Sequence, residues 1–376
     1  MKMRHILVTM FAWFTAATAL YAQTDNIFRP VYLAQDPVMA PISFEKLDNL
    51  ANAETYPVTA AGTPACGPAC GYCRAGWRMG VEATFLAPMG GNQAGWSFTD
   101  DIAGRTDSFS TDAHGIGGLV PAPRLWGGYV CDNGWGFQVR YWELNSSSNY
   151  ANPFLLTADT YGFASGTNLD MFALDLELVK EFCFYDWNMV GTFGYRHAQR
   201  EFNETIGFNG AIVHGGGTTT YAGFASGIAT FEGDGLTFSL SGYRCADCCC
   251  GLQWFWNARG SVLFGDSYAG ALTHAQLVRP GGSADDTNFG YAGDSDSIFV
   301  AEFQVGAQWS TPLKCMGGRF FARGAFEYQH WGELGAAAGA TSTVGDIGVG
   351  ELTMNALAPA DSLDLVGFAI SAGIVW

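Results

Sequence analysis

Charge is scarce in this sequence: only 14% of its 376 residues are Asp, Glu, Lys or Arg, where an average soluble domain carries about 25%. Cations are the scarcer kind, 18 Lys and Arg against 35 acids for a formal net charge of −17. So acidic a chain argues against nucleic acid as a partner. Long apolar runs are also missing. Beyond the N-terminus no stretch of ~18 apolar residues escapes interruption by Gly or polar residues, so no helical membrane span is expected. Catalytic signatures are absent too. There is no Gly-x-Ser-x-Gly, and the histidines near charged residues (His114 after Asp112, His197 beside Arg196 and near Glu201, His330 after Glu327) complete no nucleophile motif. Asp285, Asp286, Asp294 and Asp296 lack the spacing of a calcium loop and read as a solvated acidic loop. No enzyme activity, cofactor or metal is expected.

Glycine and aromatic residues are abundant instead: 50 Gly, 28 Phe, 15 Tyr and 12 Trp. The chain opens with a basic stretch, Met1 to His5, and an apolar run from Ile6 to Leu20, with small residues suited to cleavage after Ala19 or Ala22. That is the pattern of an export signal over 1–22. Residues 23–75 read as a Pro-containing periplasmic linker ending in a cysteine-rich segment, and 76–376 as the folded body.

The other end is more specific. From Val366 to Trp376, Phe368, Ile370, Ala372, Ile374 and Trp376 fall on one parity, with mostly small residues on the other. A large ring as the last residue, in register with four apolar neighbours, suits a strand that closes a β-barrel in lipid. Phe368, Ile370, Ile374 and Trp376 are therefore candidates for the signal read by the barrel-assembly machinery. The same two-residue period recurs upstream: Trp77, Met79 and Val81 oppose Arg78 and Glu82; Phe137, Val139 and Tyr141 oppose Gln138 and Arg140; Leu174, Leu176 and Leu178 oppose Asp175 and Glu177. Strands around Trp187–Arg196, Leu236–Ser241, Trp254–Phe264, Phe299–Trp309 and Phe320–Gln329 follow the rule. With a weaker one at Arg124–Cys131 and the closing strand they make ten, an even number as an exported barrel requires. A soluble β-sandwich also alternates, but lacks reason for the terminal ring and aromatic outer face.

Charge placement fixes the register, because Arg or Lys facing lipid at mid-depth costs ~2–4 kcal/mol. Arg78, Glu82, Arg140, Asp175, Glu177, Arg196, Arg259, Glu302, Arg323 and Glu327 all take the inner parity. They form either a polar constriction that selects solutes or a salt-bridge network that fills a narrow barrel, and the sequence leaves both open. Lys180 is off parity near a strand end, where it can snorkel; Trp142, Phe255, Leu263 and Phe321 are apolar on the inner parity. Connections alternate between short turns, assigned to the periplasm, and long stretches near 87–121, 146–168, 201–230, 265–296 and 332–363, assigned to outer loops without regular structure. Extra strands near Gly95–Thr99 or Thr218–Thr230 would raise the count to twelve.

Cys66, Cys70 and Cys73 precede the first strand, and Cys131, Cys183, Cys245, Cys248, Cys249, Cys250 and Cys315 lie in or beside the short turns. All ten thus gather at the periplasmic end. In an exported chain they are disulfide candidates, with the first three stapled to the turns; a bound metal such as zinc and unpaired thiols are the alternatives.

The segments Gly80-Val81-Glu82-Ala83-Thr84-Phe85-Leu86, Arg124-Leu125-Trp126-Gly127-Gly128-Tyr129, Gly134 to Trp142 and Ala258 to Gly265 resemble the Legionella-type major outer membrane protein family and its planctomycete branch, over roughly residues 77–376. The resemblance implies an outer-membrane barrel with porin-like activity and supplies no catalytic residues. Expected partners are outer-membrane lipid, the assembly machinery and small hydrophilic solutes. A homo-oligomer is compatible with this, and a structural or adhesive barrel with a closed lumen is the alternative.

Overall fold

The computed structural model describes residues 75–89, 94–102, 105–112, 118–156, 159–245, 251–313, 318–347, 349–358 and 361–376. The export signal, the linker with Cys66, Cys70 and Cys73, and His114 lie outside the described residues, as do Cys248, Cys249, Cys250 and Cys315.

The strands are β1 (Gly76–Met89), β2 (Ala94–Ile102), β3 (Arg105–Asp112), β4 (Val120–Val130), β5 (Trp135–Leu156), β6 (Asp159–Phe184), β7 (Trp187–His214), β8 (Gly217–Cys245), β9 (Leu252–Arg279), β10 (Gly282–Leu313), β11 (Gly318–Trp331), β12 (Ala338–Asp346), β13 (Gly350–Ala358) and β14 (Leu363–Val375). Ten of them close an antiparallel ring, in the order β1-β14-β11-β10-β9-β8-β7-β6-β5-β4, and β4 pairs back to β1. The closing strand β14 is held on both sides: Phe368 faces Phe85 on β1 and Phe326 on β11, and its ring stacks on Phe85 at 4.9 Å.

Around the ring Trp77, Val139, Leu178, Phe193, Phe238, Phe264, Phe303 and Ile370 are exposed, all on the parity opposite the charges. A closed sheet has no free edge and an apolar outer belt can face hydrocarbon, which is what a membrane demands of strands. The chain is an outer-membrane β-barrel. Lys180 reaches from the belt to the turn, donating from Nζ to the Asn133 carbonyl at 2.9 Å and lying over the Trp135 ring. Trp142, Phe255, Leu263 and Phe321, apolar on the inner parity, are buried inside.

The stretches 146–168, 201–230 and 265–296 are not loops. They are continuations of β5 to β10, and Thr218–Thr230 is part of β8, so the barrel keeps ten strands. Strands β6 to β10 run 26 to 32 residues, where about 10 suffice to cross a bilayer. The cause of the misreading is a reversal of hydrophobic parity. Within the membrane, β7 turns Phe193 and Tyr195 outward to lipid; above it, Ile206, Phe208 and Ile212 are buried on the other face. β9 switches likewise from Val262 and Phe264 outside to Ala269, Ala271, Ala275 and Leu277 inside. Beyond the lipid the outer face meets water, so the apolar face must turn inward.

A second sheet meets that inner face. β12, β13, β2 and β3 form a four-stranded antiparallel sheet from the connections β1–β4 and β11–β14. Gly95–Thr99 is thus a strand, as the sequence allowed, but outside the ring. Trp96 and Phe98 of β2 pack on Phe208, and Phe98 also on Tyr161 and Tyr221. The acids Asp286 and Asp296 belong to β10 rather than to a solvated loop. Asp286 accepts from the Thr343 amide of β12 at 2.8 Å, and Asp296 from the Gly335 amide.

Candidate functional site

The barrel interior is layered. Its charged layer contains eight of the ten residues singled out by parity, plus Arg124 and Gln304. Arg196 holds Asp175 through two contacts, Nε at 2.6 Å and Nη2 at 2.9 Å, and reaches Glu302 at 2.7 Å. Arg140 bridges the same two acids at 3.2 and 2.5 Å. Arg259 joins Asp175 at 3.2 Å and also binds Glu177. On the other side of the interior Arg124 binds Glu327 at 2.6 Å and Glu82, and lies 3.9 Å from Glu302. Gln304 ties Glu82 to Glu327 at 3.1 and 2.8 Å. None of these groups is more than 9% exposed. The remaining two candidates sit nearer the turns: Arg78 pairs with Glu181, and Arg323 has no carboxylate partner among the described residues.

Arg124 and Glu181 escaped the sequence reading for different reasons. Pro121 and Pro123 blur the alternation of β4, although Leu125 and Tyr129 leave Arg124 on the opposite, inner parity. Glu181 shares the parity of Asp175 and Glu177 but follows the off-parity Lys180.

Outward of the charges lies an apolar layer to which every strand of the ring contributes: Leu86, Ala122, Leu144, Met171, Ala198, Phe231, Leu263, Val300, Trp331 and Leu365 are buried in one cluster. At its centre Trp142 and Trp331 stack at 6.1 Å with an interplanar angle of 25°. Their indole N–H groups donate to Thr84 at 3.4 Å and to Gln329 at 3.3 Å, and Gln329 in turn donates to Glu327 at 2.7 Å, joining this layer to the charges below. On the periplasmic side of the charges a cavity of about 120 Å³ remains. Part of its wall is the stack of Trp126 on Phe321. Gly80 and Gly373 make room for these rings, since a Cβ would come within 2.6 Å of Trp126 and 2.4 Å of Phe321.

One charge is out of place. Arg200, on β7 beyond the lipid belt, is 4% exposed; Nη2 donates to the Asp361 carbonyl at 3.2 Å, while Nε and Nη1 have no partner among the described residues. Burial pushes its pKa down to about 10, against a smaller upward pull from Asp361. A folded-state pKa below the ordinary value means that charged Arg200 opposes folding at all pH below about 10, and that this cost is relieved as pH rises through that value. Arg200→Met is expected to stabilise the barrel by ~1–3 kcal/mol near neutral pH, with a gain that shrinks above pH 10. Urea unfolding at several pH values checks it.

His197 and His330 stand apart from the interior. His197 meets Asp234 and His330 meets Asp364, each through Nδ1 at 2.8 Å, and each aspartate also accepts from a tyrosine on the histidine's strand, Tyr195 or Tyr328. These clusters are on the outer face, and neither histidine is hydrogen-bonded to a Ser, Thr or Cys among the described residues.

Of the cysteines, Cys183 at the end of β6 is disulfide-bonded. Cys131, another of the disulfide candidates, is a free thiol, exposed at the turn after β4. Nothing is described of the Cys245 side chain at the end of β8.

No family model matches the chain, and no curated protein does. Solved structures similar to it include the outer membrane protease OmpT from Escherichia coli, at 10% identity over 80% of this chain and 96% of that one, with a TM-score of 0.34. The outer membrane protein OprG from Pseudomonas aeruginosa matches at 8% identity over 79% and 97%, with a TM-score of 0.23. A Pseudomonas aeruginosa FadL homologue matches at 9% over 80% and 90%, with a TM-score of 0.20. At such identities and scores no activity carries over.

Proposed function

We propose that this outer-membrane barrel is closed at rest and anchors a folded β-structure outside the cell, rather than serving as a freely open diffusion pore. The observation that carries this is the apolar layer built by all ten strands of the ring, stacked directly on the buried ion-pair layer. Two barriers in series leave no wet path: an ion would lose its hydration in the first and break buried pairs in the second. The long walls of β5 to β10, roofed from inside by β2, β3, β12 and β13, give the exported part a rigid surface suited to contact with a partner or neighbouring cells.

A gated channel for small hydrophilic solutes is the second reading. It is favoured by the mixed charges across the lumen and the cavity beneath them, and it agrees with the resemblance to a pore-forming family. Liposome swelling separates the two. Refolded wild-type protein is expected to admit arabinose no faster than protein-free vesicles, and swelling at a porin-like rate would replace the closed-anchor reading with the channel.

A further inference from the structure

Arg323 differs from the arginines around it. Arg78, Arg124, Arg140, Arg196 and Arg259 each have a carboxylate within 4.0 Å; Arg323 has none among the described residues. It is held by neutral groups. Nε and Nη2 donate to Gln308 Oε1 at 3.3 and 3.0 Å, and Nη2 also to the Tyr243 hydroxyl at 3.2 Å. The guanidinium lies 4.5 Å over the Phe255 ring and 5.6 Å from those of Tyr243 and Phe321. Such a cage fixes a planar cation and keeps its charge. Nη1 makes no hydrogen bond among the described residues.

The strand register shows what is missing. Arg124, Glu82, Ser371, Arg323 and Gln308 face one another in turn across β4, β1, β14, β11 and β10. A carboxylate facing Arg323 from β14 would stand at 371. The chain has serine there, 4% exposed and with its hydroxyl unpartnered among the described residues. Glu82, one strand further, is already engaged by Arg124 and Gln304.

Arg323, Tyr243, Gln308 and Ser241 line the 120 Å³ cavity on the periplasmic side of the charged layer. Ser241 Oγ accepts from Asn257 Nδ2 at 2.9 Å, which leaves its own proton to donate. We propose that this cavity binds a small monovalent anion, a halide or a short carboxylate, at the free edge of Arg323, with the Ser241 hydroxyl as a second donor. One charge is the right amount, because the other arginines of the lining, Arg78, Arg124, Arg140 and Arg259, are already paired with carboxylates and Arg323 alone is left to be balanced. The site stands whether or not the barrel conducts, since it needs access from the periplasmic end alone.

The test is the thermal unfolding midpoint of the refolded full-length chain as gluconate, too large for the cavity, is replaced by chloride or acetate at constant ionic strength. The wild-type protein is expected to show a saturable rise with at least one of the two, as a ligand of the folded state alone produces, and the two salts distinguish halide from carboxylate. Arg323→Gln abolishes the rise. Arg323→Lys keeps it with affinity weakened about tenfold, and Arg319→Gln, on the same parity of β11 but not part of the cavity lining, leaves it unchanged. A heat-modifiable gel shift confirms folding of each variant. If Arg323→Gln does not fold, anomalous diffraction from wild-type crystals decides, soaked in bromide where chloride gave the rise and in bromoacetate where acetate alone did, with a bromine peak at Arg323 expected. No saturable rise with either salt, an equal rise in Arg323→Gln, or no bromine peak overturns the site.

Discussion

Arg196→Met is expected to lower barrel stability by about 3–5 kcal/mol, the cost of breaking a buried ion pair from one side. Arg196 is fully buried and serves two acids at once, Asp175 and Glu302. The connected network already holds five carboxylates, Glu82, Asp175, Glu177, Glu302 and Glu327, against four guanidiniums, Arg124, Arg140, Arg196 and Arg259. Removing one guanidinium widens that excess where no water can screen it. Lysine at the same position keeps the charge but not the two-pronged contact with Asp175, so Arg196→Lys should fall between the two proteins. Pairing Arg196→Met with Asp175→Leu should recover part of the loss, because four carboxylates against three guanidiniums restores the original excess of one. Urea unfolding of the refolded barrel measures all four. An Arg196→Met loss below about 1 kcal/mol would mean the layer is hydrated and its pairs are weak.

Trp331→Ala has an expected cost of similar size, ~3–5 kcal/mol, for another reason. Trp331 is fully buried, stacked on Trp142 and hydrogen-bonded to Gln329. Alanine leaves a void in the middle of the apolar layer. The two layers act in series, so conductance separates them. Trp331→Ala alone should stay silent in a planar bilayer, because the charged layer below is intact. Arg196→Met alone should stay silent as well, held shut by the tryptophans. The double variant, if it folds, is expected to conduct. Steady channel steps from either single variant would show that one layer alone forms the barrier.

Much of the ring was legible in the sequence because lipid imposes a strict rule. Trp77, Phe193, Phe264 and Ile370 had to face out, and Arg140, Arg196 and Arg259 had to face in, so parity alone gave ten strands and the inward set of charges. What the period could not show was where the rule changes. Once β7 leaves the membrane, Ile206 and Phe208 take the parity that Arg196 held lower down, and small residues between them weaken the signal; a continuous strand therefore read as a strand followed by a loop. The second sheet was hidden because it depends on that reversed face: Trp96 and Phe98 were legible as a possible extra strand of the ring, but not as part of a separate sheet packed on Phe208, Tyr161 and Tyr221. Open or packed was likewise beyond the sequence, since the same charges suit either. It turns on side-chain reach across the ring, as in the bonds of Arg196 to Glu302 and Arg124 to Glu327.

Single-channel recording of the wild-type protein in a planar bilayer tests the closed barrel most directly, with a heat-modifiable gel shift on the same sample to confirm folding. A folded barrel that gives no steady current steps at moderate voltage is the expected result. Reproducible steps of uniform size from that sample would contradict it and establish an open pore.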